Sequence, residues 1–211
     1  MNNIFVFRHG YSCFNLAEKS KNYARFYSTN KDNFFLPESP NITMFGFYTS
    51  IIQGIVLRSN SDFDELYLSY FPIFVSILHR TWETAVGLYL GLTLGKDDSL
   101  RKECIRFRNM LNKKKDYDEA NRFGDTKLLK TFTELVIEIK TKIQGEDKKI
   151  RLLIIPFIHE HTPTSRHIDI ANTFRVQQIK RFNEWMKYIT KHIEINIELN
   201  ITMVNPTEEV I

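Results

Sequence analysis

Short apolar runs set between long amphipathic stretches constrain this chain more than any other feature. Ile4-Phe5-Val6-Phe7 is the first, and Phe74-Val75-Ser76 closes an aromatic and aliphatic stretch that begins near 66. Arg151-Leu152-Leu153-Ile154-Ile155 is the third, and each run is too short for a helix and continuous enough for a buried strand. Helical periodicity fills the intervals. Thr43 can cap a helix from about 44 to 58 whose Phe47, Ile51, Ile52 and Ile55 share a face, with Gly46 permitting close packing. Trp82, Ala85, Val86 and Leu90 recur at helical spacing on a second helix, which puts Arg80 in the loop or first turn just after a strand. Two more helices are predicted over about 98 to 111 and 126 to 144, the latter with Leu128, Phe132, Leu135, Ile139 and Ile143 on one side. Gly145-Glu146-Asp147 reads as a turn. A long amphipathic pattern runs from Asn172 to about 194, with Phe174, Val176, Ile179, Phe182, Trp185, Met186 and Ile189 as core candidates. Strands separated by helices predict an α/β fold, a three-layer α/β/α arrangement with a mainly parallel central sheet covered on both faces. Ligands bind such sheets at the carboxyl ends of the strands.

The 211 residues suit one domain, 1–211, able to bury roughly 70% of its unfolded surface. A formal charge of +4 is too small for a nucleic-acid stripe, and the dense run Lys113-Lys114-Lys115 is followed at once by Asp116, Asp118 and Glu119, as in a solvated loop. No nucleic-acid partner is expected. No apolar run approaches the ~20 residues that span a bilayer, so no membrane role is expected either. Cys13 and Cys104 form no disulfide framework and no signal peptide precedes the first run, which makes a cytoplasmic location the default.

The predicted strand ends carry the chemistry. The first apolar run breaks at Arg8-His9-Gly10 into polar residues and then Asn15, a strand stopping at a loop that opens a helix. Backbone N–H groups at a helix start favour an anion, glycine allows close approach, and arginine supplies a fork that matches phosphate geometry. The third run ends in Pro156-Phe157-Ile158-His159-Glu160-His161-Thr162-Pro163. His159 and His161 could face one side of an extended segment, but no cysteine or second cluster supplies further ligands, so neither a metal nor another cofactor is expected. Cysteine-based phosphatase chemistry needs an arginine six positions after the nucleophile, where Cys13 leads to Lys19 and Cys104 to Met110.

Four stretches in order resemble the histidine phosphatase superfamily, the group that includes cofactor-dependent phosphoglycerate mutase. They are Arg8-His9-Gly10 continuing to Asn15; Ile42-Thr43 with Gly46; Ser76-Ile77-Leu78-His79-Arg80-Thr81-Trp82-Glu83-Thr84-Ala85, with Glu83 where glutamine is common; and Ile155-Pro156-Phe157-Ile158-His159-Glu160. The resemblance implies a phosphoglycerate mutase-like fold and a phosphomonoesterase acting on a phosphorylated small molecule or phosphoprotein. His9 would be the nucleophile that becomes phosphohistidine, Arg8 and Arg80 would hold the phosphoryl oxygens, Asn15 would add a donor, and Glu160 would serve as general acid and then base. Loops 19 to 40 and 112 to 125 would set the substrate.

The chain departs from the family at its second histidine, which should follow the last main strand. If Ile201-Thr202-Met203-Val204 is that strand, Asn205-Pro206-Thr207 puts a proline in the histidine's place. If Glu209-Val210-Ile211 begins it, the chain stops before the turn, as a truncated product would; the loop-like Asn205-Pro206-Thr207-Glu208-Glu209 favours this second placement. His192, in or just after the long helix, is expected to be solvated and a poor replacement. A catalytically impaired domain that binds phosphorylated ligands or a protein partner is therefore the alternative to a phosphatase.

Overall fold

A computed structural model of the chain describes residues 7, 10–12, 41–58, 73–76, 78–112, 125–155 and 167–203, with the backbone alone at 79, 167–178 and 203. The fold over these residues is mixed α/β and mostly helical. In chain order it comprises α1 (Met44–Leu57), β1 (Ile73–Val75), α2 (His79–Leu94), α3 (Asp98–Asn112), α4 (Thr126–Ile143), β2 (Asp147–Ile154), α5 (His167–Ile193) and β3 (Asn196–Met203).

The strands form one parallel sheet in the order β1-β2-β3, with Ile73 opposite Leu152 and Leu152 opposite Ile201. Sequential order has a consequence for the layers. Crossovers of the usual right hand carry every connecting helix to the same side of such a sheet. Burial agrees: Val75, Ile150, Leu152 and Ile154 point into the core. The opposite face is exposed, with Lys149, Arg151, Glu198, Asn200 and Thr202 on it and Phe74 at 60% exposure. The expectation of a sheet covered on both faces is thus not met over these three strands, and Phe74 is not the buried residue that a continuous apolar run suggested. Lys149 and Glu198 pair at 2.8 Å on this open face.

The helices pack mainly on one another. α1 and α2 make the most extensive contact of any two described elements, α3 lies on α1 and α4, and α5 lies on α2. Aromatic rings seal these contacts, Trp82 against Phe182 at 5.3 Å, Phe47 against Trp185 at 5.5 Å and Phe132 against both Phe45 at 5.0 Å and Phe107 at 5.6 Å. The apolar faces read from periodicity on α1, α2 and α4 are buried, with Phe132 partly so. Cys104 is free and buried, its thiol pushed up to about 12 by loss of water and by the nearby Glu138 and Glu103.

Several boundaries differ from the sequence reading. β2 begins at Asp147 instead of 151, because Gly145 turns the chain at φ +77° and the charged residues that follow alternate onto the open face. α5 begins at His167, five residues before Asn172; the side chains of Phe174 and Val176 lie outside the described residues. Ile201-Thr202-Met203 is the end of a strand that starts at Asn196, while 209–211 lies outside the described residues. His192 is half-buried, stacked on Tyr188 at 5.9 Å and edge-on to Tyr48 at 6.4 Å, so it is not the solvated residue expected. Burial and then Lys140 hold its imidazole below the ordinary range. No described helix is long and apolar enough to cross a membrane.

Candidate functional site

The entry to α1 organises the neighbourhood of Gly10. Thr43 is the N-cap: its hydroxyl oxygen accepts from Gly46 N at 3.0 Å and the same hydroxyl donates to Tyr11 O at 3.0 Å. Thr43 N also donates to Tyr11 O, at 2.8 Å. One threonine therefore starts a helix and ties it to the segment after Gly10. Position 46 must be glycine, because a Cβ there would lie 2.4 Å from Tyr11 O. Thr43→Ala removes both functions of the hydroxyl, with an expected loss of about 1–2 kcal/mol. In thermal denaturation this is a fall of roughly 3–6 °C, while Thr43→Ser should stay within about 2 °C of the parent chain.

α2 meets the same segment from the other side. Gly10 N donates to Thr84 Oγ1 at 2.8 Å, and that hydroxyl donates to Arg80 O at 2.8 Å. Ser12 forms an antiparallel bridge with Ile42, whose N–H donates to Glu83 Oε2 at 2.6 Å. Arg80, Glu83, Thr84 and Gly87 follow helical spacing, so a single face of α2 carries them. Arg80 occupies the first turn of α2 just beyond β1, where the sequence placed it, and is 7% exposed. Ser76 sets this first turn: its carbonyl accepts from Trp82 Nε1 at 2.6 Å and its hydroxyl lies 3.2 Å from that of Thr81. Leu78, the N-cap, makes no side-chain capping bond.

Glu83 is the residue whose part the sequence did not reveal. It is fully buried, and loss of water drives its carboxyl well above the ordinary carboxylate range, against the lowering effects of the Ile42 N–H and the Arg80 charge. Thr84 was also missed as a contact, although its place four residues after Arg80 puts the two on one face.

A cleft of about 150 Å³ adjoins Gly10, bordered by Phe7, Thr49, Ser50, Gln53, Thr84 and Leu88 as well. Among the described residues its lining carries no charge. Ser50 and Thr49 spend their hydroxyl protons on Gly46 O at 2.7 Å and Phe45 O at 2.8 Å, so they face the cleft as acceptors. Phe7, which ends the first apolar run, is 41% exposed at its rim and is not in a strand.

Of the residues assigned chemistry from sequence, Arg80 is described; Arg8, His9, Asn15 and Glu160 lie outside the described residues, as do His159 and His161. Among the described residues no group of three or more histidine, cysteine, aspartate or glutamate side chains could hold a metal ion. Comparison with family models, with curated proteins and with solved structures gives no match.

Proposed function

We propose that this chain is a phosphomonoesterase working through phosphohistidine, with a phosphoglycerate mutase-like α/β fold. The carrying observation is that three separate motif segments meet: Gly10 bonds to Thr84, Tyr11 to Thr43, and Ile42 to Glu83. These contacts join residues 10–12, which follow Arg8-His9 in sequence, to the Thr43/Gly46 helix start and the Arg80 helix, segments 32 to 74 residues apart in sequence. A buried arginine on the first turn of a helix with no side-chain cap suits an anion, since the helix end and the guanidinium add their fields.

In this mechanism His9 attacks phosphorus through a ring nitrogen as the bond to the leaving oxygen breaks, and Glu160 gives that oxygen its proton. Arg8, Arg80 and Asn15 hold the equatorial oxygens as charge grows on them. Glu160, now a carboxylate, then takes a proton from the water that attacks phosphohistidine, releasing phosphate and restoring His9. The substrate would be a phosphorylated small molecule or phosphoprotein.

A second reading, an impaired domain that binds such ligands without turning them over, is favoured by β3. That strand runs through Ile201 to Met203, and the sequence beyond it offers Pro206 in the turn where the family resemblance calls for histidine. Losing one such donor costs about 10²–10³ in rate. The test is turnover of an aryl phosphate with alkaline quenching and mapping of the phosphorylated residue. Phosphohistidine at position 9 is the expected result. Turnover with phosphate on another residue would overturn the mechanism, and phosphate binding without turnover would establish the second reading.

A further inference from the structure

We infer that Glu83 is a positioning residue whose proton sets how firmly Arg80 can hold an anion, through a buried pair on the first turns of α2 that also fixes Ile42. The inference rests on the phosphate-site reading of Arg80. Arg80 and Glu83 are three residues apart on one helical face and at least nine-tenths buried, so little water screens one from the other. Glu83 Oε2 is anchored by the Ile42 N–H at 2.6 Å, and Ile42 bridges Ser12, two residues beyond Gly10. An ionised Glu83 competes with a phosphoryl group for the Arg80 charge more strongly than a neutral one does.

The elements packed on α2 bring ionisable groups of their own: Tyr48 on α1, Glu134 and Glu138 on α4, Arg151 on β2, and Arg181 with Glu184 on α5. Arg80 is a charge that acts on Glu83, and the Ile42 amide is a hydrogen-bond donor to it. The elevated proton affinity of Glu83 arises first from burial. A carboxyl that binds its proton more tightly folded than unfolded contributes stability that is full below its unfolded value near 4.5 and is lost as pH rises through the folded value.

Glu83→Gln keeps an acceptor for Ile42 and removes the titration. Two measurements from pH 4.5 to 9 decide the matter: melting temperature, and affinity for sulfate, a probe whose charge is constant over that range. The melting temperature of Glu83→Gln should rise relative to the parent chain as pH increases. Its sulfate affinity should exceed that of the parent on the order of tenfold at the alkaline end and match it at the acid end. Titration of His9 is common to both chains and cancels in the comparison. Equal sulfate affinities at every pH would overturn the inference and leave the phosphate site standing. Absence of sulfate binding in both chains, with the melting difference still growing with pH, would instead remove the phosphate-site reading of Arg80. A melting difference that does not change with pH would show that Glu83 carries no proton-linked role.

Discussion

His9→Ala should lower aryl phosphate turnover by about 10⁴-fold or more and abolish the phosphorylated intermediate, because it removes the ring nitrogen that the proposed mechanism uses for covalent attack on phosphorus. The size of the effect separates this residue from the others in the proposed site. Arg80→Ala removes a charge that stabilises the transition state without removing the reaction path, which is worth about 10²–10³ in rate. Stability should respond in the opposite order. The loop after His9 is held by Gly10 N on Thr84, by Tyr11 O on Thr43 and by the Ser12–Ile42 bridge, all of them bonds of the backbone at 10–12. His9→Ala leaves these bonds intact, so its melting temperature should stay within roughly 3 °C of the parent chain. Arg80→Ala strips the counter-charge from a fully buried carboxyl and should melt lower. The decisive measurement is steady-state turnover of the two variants, with melting curves on the same samples. Turnover within tenfold of the parent in His9→Ala would remove the phosphohistidine mechanism altogether.

What the sequence made legible followed from periodicity and from local capping chemistry. The faces of α1, α2 and α4, the Thr43 cap and the first-turn position of Arg80 all depend on residues within a few positions of one another. Layering depends on more than that. The run Leu152 to Ile155 looks the same whether one face of its strand is covered or both, and the answer lies in the sequential order of three strands. The sequence puts Asp147 in the turn and starts the strand at Arg151, because the charged Asp147, Lys148 and Lys149 do not look like a buried strand until the open face is known. Glu83 shows the limit at the site itself. A glutamate on an amphipathic helix is ordinarily assigned to solvent, whereas this one is buried and bonded to Ile42, 41 residues earlier. Glu83 held a motif position, where glutamine is common in the resembled family, but its burial and its bond to Ile42 are not readable from that position.

The contact between α1 and α2 is where a single methyl group should do most damage to the fold. Gly54 and Gly91 face each other across it: a Cβ at Gly91 would lie 2.0 Å from Ile51 O and 2.8 Å from Ile55 N, and one at Gly54 would lie 2.2 Å from Leu88 O. These obstacles are backbone atoms, which no rotamer change can move aside, so the helices must separate by roughly an ångström before ordinary contact is restored. Gly91→Ala regains about 1 kcal/mol of helix propensity, and that gain decides nothing if separation also loosens Phe47, Ile51, Ile55, Val86 and Leu90, all buried near the crossing. A net loss of about 3 kcal/mol or more is expected from a total of about 5–15, a fall in melting temperature of roughly 10 °C. Gly145→Ala is the informative control. Gly145 has φ +77° and nothing within 4 Å of its missing Cβ, so alanine there meets backbone strain alone, about 1 kcal/mol. Urea unfolding of both variants compares crowding with strain in one molecule. If Gly91→Ala were the milder of the two, α1 and α2 could not be packed backbone to backbone. The same separation would also shift Thr84 relative to Gly10, so loss of stability and loss of phosphate turnover should appear together in this variant.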